Sequence, residues 1–430
     1  MNCKKILCVY AFTSMIFLAS CSSNAQKNQV SDIETDKTEI IETENIELSN
    51  IETLNIETTD IETVNLEEVN PEPIEMESLS QADEAEPASI HLVMVGDMLM
   101  HERVMESGLQ EDGSYDFEHL FTHVKDRVQE ADLALVNQET ILGGKELGLT
   151  GYPCFNSPYE LGTAEVEAGF DVILHGTNHA LDKGKKGALN CMDFWEQNYP
   201  DIAYLGINQS QEMQDNNIYV YEQDGIRLAI LNYTYGTNGI SVPNDMPYLV
   251  NYMDEEKIIA DIKQAEEQAD FTVVCPHWGN EYHLGISGEQ QYWTKLFLEN
   301  GVDLVIGTHP HVIEPVEWIE DDEGNKMLVY YSIGNFVNGT SGTGAGVMNR
   351  CVGGLADVTI GRKEDGQVEI MEYDAIPLVC HISEGDEYSV WYMEDYTEEL
   401  AQENHICSQD SAFSLENCQA LVDEVWGEMP

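Results

Sequence analysis

The chain has 430 residues, and its 80 Asp and Glu against 19 Lys and Arg give a formal net charge of −61. So acidic a polypeptide, with no basic patch, repels nucleic acid and anionic lipid headgroups, which excludes both as direct ligands. Acidic runs persist to the end, as at Glu320-Asp321-Asp322-Glu323, so a polyanionic substrate would need a locally positive groove or bridging metal ions.

In chain order, Lys4 and Lys5 precede the apolar stretch ILCVYAFTSMIFLA. It is long enough for a signal-peptide core and short of the roughly 20 residues a spanning helix needs, though a plain membrane helix is the alternative. The stretch closes on Leu18-Ala19-Ser20-Cys21, which resembles the lipobox of bacterial lipoproteins. That resemblance implies a signal peptide over residues 1–21, acylation of Cys21, and an extracytoplasmic protein held to the cell membrane by lipid. Seven cysteines would remain, an odd number without a CxxC spacing, so no cysteine metal site follows. Outside the cytosol Cys407 and Cys418 are the expected local disulfide. Residues 22–89 repeat Ile-Glu-Thr loosely, from Ile33-Glu34-Thr35 to Ile61-Glu62-Thr63. Apolar residues too sparse to bury and like charges that repel predict an acidic, disordered tether, with a short β-repeat as the alternative.

From 90 to 382, strand-like runs alternate with helical stretches, the pattern of a single α/β domain. Helices are expected over Glu118–Ala131, Tyr159–Ala168, Gly187–Gln197, Glu255–Ala269 and Glu289–Asn300. Strands are expected at SIHLVMV, ADLALV, FDVILH, NIYVYE, IRLAILNY, FTVVC, VDLVIGT, KMLVYYSI, GGLADVTI and VEIMEYDAIPLV. Residues 383–430, acidic with scattered aromatics, read as a helical C-terminal appendage.

Five polar clusters each follow a strand run: Gly96-Asp97, Asn137 with Glu139, Asn178-His179, His277-Trp278-Gly279, and His309-Pro310-His311. In α/β sheets ligands gather beyond the carboxyl ends of the strands, and carboxylate and imidazole are donors for Mn, Fe or Zn. Each cluster alone has a plainer reading. Asp97 could cap a helix, Asn137 and Glu139 could brace a loop, and a lone His179 is more often a packed residue. Taken together, Asn178 could ligate metal while His179 acts as general acid, the role imidazole most often fills in protonating a leaving group. His309 and His311, two apart, can face one cavity. His101 could join if its loop turns helical, and Glu281 lies near His277. Arg103 is a candidate for an anionic group in the cleft, or an ordinary surface arginine, and Asn335 a substrate contact or a structural turn. The Gly-rich stretch 339–346 lacks a Walker lysine and reads as a mobile loop.

The segments VGDMLMHERV, LALVNQET, GFDVILHGTNHALDKG, VVCPHWGNEY, GVDLVIGTHPHVIEPVE and VYYSIGNFV, in this order, resemble the capsule synthesis protein CapA family of poly-γ-glutamate biosynthesis. That family is similar to the calcineurin-like metallophosphoesterases, which implies a four-layer sandwich of two packed mixed sheets flanked by helices. By motif, the resemblance implies metal ligands Asp97, Glu139, Asn178, His277, His309 and His311, with His179 in the position of the catalytic acid. Leu99 stands where phosphoesterases carry a His two after the first Asp, and Asn137 and Glu139 replace their Gly-Asp and bridging Asp. Two functions are expected from this. One is a membrane-anchored component of capsule or poly-γ-glutamate production, export or tethering, partnered by the anionic polymer or its synthase and exporter complex. The other is a metal-dependent hydrolase of a phosphoester or amide bond in a cell-envelope substrate.

Overall fold

Four aspartates stand immediately before strands and set the register of their neighbours. Asp132 Oδ2 accepts the His91 N–H at 2.8 Å, Asp171 Oδ2 that of Ala134 at 2.9 Å, Asp270 Oδ2 that of Arg227 at 3.0 Å, and Asp303 Oδ2 that of Thr272 at 2.8 Å. Each side chain thus satisfies a backbone donor near the start of the adjacent parallel strand, a group that burial would otherwise penalise.

The computed structural model describes residues 88–216 and 218–427. The expected signal segment 1–21 with Cys21, and the tether up to residue 87, lie outside the described residues. Strands β1 Ser89–Leu99, β2 Leu133–Asn137, β3 Val172–Leu174 and β4 Ala203–Leu205 run parallel. Next come β5 Tyr219–Gln223, β6 Ile226–Thr234, β7 Phe271–His277, β8 Leu304–Ile306, β9 Val316–Glu320 and β10 Lys326–Tyr330. The chain closes with β11 Asn335–Asn338, β12 Val352–Arg362, β13 Val368–Ile382 and β14 Tyr388–Tyr392. One sheet has the order β14-β13-β12-β1-β2-β3-β4, with β11 also paired to β1; the other has the order β5-β6-β7-β8-β10-β9. Both mix parallel and antiparallel pairs, and the expected mixed α/β architecture of two sheets with helices is borne out.

Alternation along the strands builds the layers. On β6, Leu228 and Ile230 enter the large core shared with β1, whereas Ala229, Leu231 and Tyr233 enter a second core with Ile258, Ile262, Trp293 and Phe297 of two covering helices. Strands covered on both faces are apolar throughout, which is why these runs read so clearly in the sequence. The helix Glu255–Gln268 starts where Asp254 accepts the Lys257 N–H at 3.0 Å and buries Ile258, Asp261, Ile262 and Ala265, an i, i+3, i+4, i+7 stripe. The helix Gly288–Glu299 begins with a capping box of Ser287 and Gln290.

Three expectations need correction. The helix expected over Glu118–Ala131 is two short helices, Glu118–Phe121 and Lys125–Glu130, because the chain leaves helical φ at Val124 (−120°) while burying Phe121, Val124 and Val128. Residues 383–430 are not a separate appendage: β14 pairs with β13, and Trp426 Nε1 donates to the Glu314 carbonyl at 3.0 Å. Cys407 and Cys418 are free thiols like the other described cysteines; Cys407 donates to the Ala401 carbonyl at 3.3 Å, and Cys418 is buried. Among the described residues no helix is long and apolar enough to cross a membrane.

Candidate metal centre

β1, β2 and β3 in one sheet and β7 and β8 in the other each end in a polar cluster, and these tips meet. A bulge between Val95 and Asp97 turns the β1 tip, and the Asp97 N–H donates to the Gly334 carbonyl at 3.0 Å. Gly96 is required there, since a Cβ at that position would lie 1.9 Å from the Gly334 oxygen. Asp97 is fully buried, as are Asn137 and His277, while Glu139 and Asn178 are each 1 % exposed.

Asp97 organises the turn after β8. Its Oδ2 accepts the His309 N–H at 3.2 Å and lies 3.0 Å from His311 Nδ1, while its Oδ1 accepts Asn137 Nδ2 at 2.8 Å. His309 (φ 100°) and His311 (φ 60°) both occupy the left-handed region, at a cost of about 1–3 kcal/mol each. Asn335 stabilises the strained turn, with Nδ2 donating to the His311 carbonyl at 3.0 Å and Oδ1 lying 3.1 Å from His311 Nδ1.

Glu139 sits at the middle of the cluster with neither carboxylate oxygen hydrogen-bonded, and Asn137 Oδ1 and His309 Nδ1 are also buried without partners. Glu139 Oε1 is 3.7 Å from His277 Nε2, 3.7 Å from His311 Nε2 and 3.8 Å from His179 Nε2. Those separations are too long for hydrogen bonds, and they are near the about 3.4 Å expected between tetrahedral ligand atoms with bonds of about 2.1 Å. Glu139, His277 and His309 offer ligand atoms all within 4.8 Å of one another, and so do Asp97, Glu139 and His311, and Glu281, His309 and His311. A divalent cation therefore fits this donor set, because it supplies the charge that the orphaned oxygens lack.

Burial holds the Glu139 carboxyl well above its usual range, with His311 pulling the other way and Asp97 adding to the rise. His277 and His309 are driven well below the usual imidazole range by burial and by neighbouring histidine charge, which keeps them neutral and able to ligate. Burial also opposes charge on His311, but Glu139 and Asp97 outweigh it and raise the ring. Asn178 Oδ1 lies 2.9 Å from His277 Nε2, so Asn178 belongs to the same cluster. His179 packs edge-on against Phe155, and its Nδ1 is 2.6 Å from Asp182 Oδ2.

One residue lies elsewhere than expected. Arg103 pairs with Asp386 and does not line the cavity beside the centre. Asn137 Nδ2 braces Asp97 while its Oδ1 has no partner, and Asn335 lines the cavity while bracing His311. His101 does reach the cavity, with its ring lowered to about 4 by burial and then by His311 and His179. Arg350, which sequence reasoning passed over, also lines it; nothing near it in the chain marks a strand tip.

Fold and centre together define a mixed α/β protein whose strand tips gather a histidine and carboxylate cluster of the metal-binding type. The chain belongs to the bacterial capsule synthesis protein PGA_cap family, whose family model matches residues 91–340. It is 27% identical over 265 residues to the "Capsule biosynthesis protein CapA" of Bacillus anthracis, covering 59% of this chain and 60% of that protein. It is 31% identical over 173 residues to the "PGA biosynthesis protein CapA" of Bacillus subtilis (strain 168), covering 40% of this chain and 43% of that one. The chain thus spans less than two thirds of the length of either relative. Among solved structures it is similar to a phosphatase of Mycoplasma pneumoniae, with 17% identity, a TM-score of 0.40, and coverage of 68% of this chain and 94% of that one. A putative 5′-nucleotidase of Staphylococcus aureus gives 14% identity, a TM-score of 0.43, and coverage of 70% and 57%.

Proposed function

We propose that the protein is a metal-centred component of capsule-type polymer production, acting on or beside an anionic chain of the poly-γ-glutamate kind in its synthesis, export or tethering. The observation that supports this best is Glu139, buried with two unpartnered oxygens among His179, His277 and His311 in a chain of the capsule synthesis family. The lipobox-like Leu18-Ala19-Ser20-Cys21 and the acidic stretch behind it support lipid anchoring on the outer side of the cell membrane, with the polymer or its synthase and exporter complex as partner. The donor set suits Mn, Fe or Zn. When bound, such an ion supplies Lewis-acid polarisation of an ester or amide oxygen and lowers the pKa of a water.

A second reading, a metal-dependent hydrolase of a phosphoester or amide bond, is favoured by the His179 and Asp182 pair. Asp182 Oδ2 fixes the ring through Nδ1 and leaves Nε2 turned toward Glu139, 3.8 Å from its Oε1. A ring so held can pass a proton from Nε2 to a leaving group. Both readings meet in one experiment. In polymer-producing cells carrying Glu139→Gln or His179→Ala at normal protein levels, surface polymer should fall to the level of cells without the protein for the first variant. With purified His179→Ala, cation content should stay at the wild-type value while any turnover falls about 10²–10⁴-fold. Wild-type polymer levels with Glu139→Gln would overturn the function, and unchanged turnover with His179→Ala would remove the hydrolase reading.

A further inference from the structure

The chain has five arginines. Arg103 is paired with Asp386, Arg127 lies 3.7 Å from Asp357, Arg227 lies 3.4 Å from Asp270 and Arg362 lies 3.3 Å from Asp270. Arg350 alone has no carboxylate partner among the described residues, in a protein where acids outnumber bases 80 to 19. Its guanidinium carbon sits 3.7 Å from the centroid of the Tyr282 ring, and Nη1 donates to Thr340 Oγ1 at 2.8 Å. Nε is buried without a partner. A guanidinium carries five N–H donors in a flat fork that matches an oxyanion, so most of its donor capacity is unspent.

The position of Arg350 is fixed from behind. Its carbonyl accepts Asn335 Nδ2 at 2.9 Å and Asn338 Nδ2 at 2.6 Å, and the same Asn335 grips His311. Arg350 and the strained histidine turn therefore share one brace. Between them lies a cavity of about 180 Å³ whose walls include His101, Tyr152, Tyr282, His311 and Arg350. That volume takes a small group, not a polymer chain. Tyr152 stands 76% exposed and marks the open side.

We propose that this cavity is an oxyanion subsite, in which Arg350, over the Tyr282 ring, receives a carboxylate or phosphoryl group of the substrate and sets it beside the histidine and carboxylate cluster. The proposal rests on the reading of that cluster as the working centre and names the substrate class it serves. It also meets an electrostatic difficulty: a strongly acidic protein can engage a polyanion if an unpaired cation stands at the point of contact.

The test uses the full-length protein and phenylglyoxal, which modifies free guanidinium groups, with adducts mapped by mass spectrometry and bound metal measured on the same samples. Arg350 is expected to react ahead of the four ion-paired arginines. A γ-linked glutamate oligomer or inorganic phosphate, added at rising concentration, is expected to slow its modification at least fivefold. Protection by the oligomer alone identifies a carboxylate ligand, and protection by phosphate alone a phosphoryl one; either supports the subsite. Arg350→Ala should weaken binding of the protecting ligand at least tenfold, with Arg350→Lys recovering part of it, while the bound metal stays at the wild-type amount. No protection by either probe in metal-loaded protein overturns the subsite and leaves the centre standing. Protection in a protein that takes up no metal supports the subsite and defeats the reading of the centre.

Discussion

The two ends of the parallel strands treat carboxylates in opposite ways. At the entry ends, half-buried Asp171 and Asp303 each accept a backbone N–H, and their oxygens have a structural task. At the exit ends, Glu139 is fully enclosed and accepts nothing. A fold that satisfies its aspartates at one edge and leaves Glu139 bare at the other reserves that position for a ligand, since an unpaired buried charge is otherwise costly.

The first expected effect separates these two edges by sign. In chelated protein, Glu139→Gln should raise stability by about 1–3 kcal/mol, because it removes an uncompensated buried acid; with a saturating divalent cation the same change should lower stability and abolish uptake of the ion. Asp303→Ala should cost about 1–3 kcal/mol in both conditions, because it orphans the Thr272 N–H whatever the centre holds. Denaturant melts with and without chelator check both, and equal shifts for the two variants would erase the distinction.

A second effect is pH dependence outside the centre. Burial pushes Asp303 up to about 7 and Glu314 up to about 8, with the Thr272 N–H and Gln290 respectively pulling the other way. Both folded values exceed the ordinary carboxyl range. The stability they allow is therefore fully present below about pH 4 and is lost as the pH rises through about 7 and 8, on the order of 1.4 kcal/mol for each tenfold difference in proton affinity between the folded and unfolded chain. Melting of chelated protein from pH 5 to pH 9 should show this decline, and Glu314→Gln should flatten its upper part; a melting curve that rises over that interval would refute it. The smallest effect is Arg103→Ala, which removes a partly exposed ion pair with Asp386 and should cost under about 1 kcal/mol, with bound metal unchanged.

Much of the fold was legible because burial on both faces leaves continuous apolar runs such as IRLAILNY and FTVVC, ended by a polar residue where the sheet edge opens. The same transition exposed Asp97, Glu139, His277, His309 and His311, which the structure brings within reach of one another. The three-residue β4 and four-residue β11 are too short to show a period. β14 was hidden by the acidity of its flanks, although Tyr388 and Val390 alternate inward with Ser389 between them, a signal that was available. Arg103 read as a candidate because arginine forms paired bonds to carboxylate or phosphate, but that capacity is met by Asp386. Arg350 escaped notice because its partners, Tyr282, Thr340 and Asn335, come from separate segments and meet only when the sheets close.

The most direct measurement is elemental analysis of the purified full-length protein before and after incubation with Mn, Fe or Zn. At least one tightly held divalent ion per chain, lost in Glu139→Gln and kept in Asp303→Ala, is the predicted result. A wild-type protein that emerges metal-free and takes up none of these ions would contradict the account at its centre.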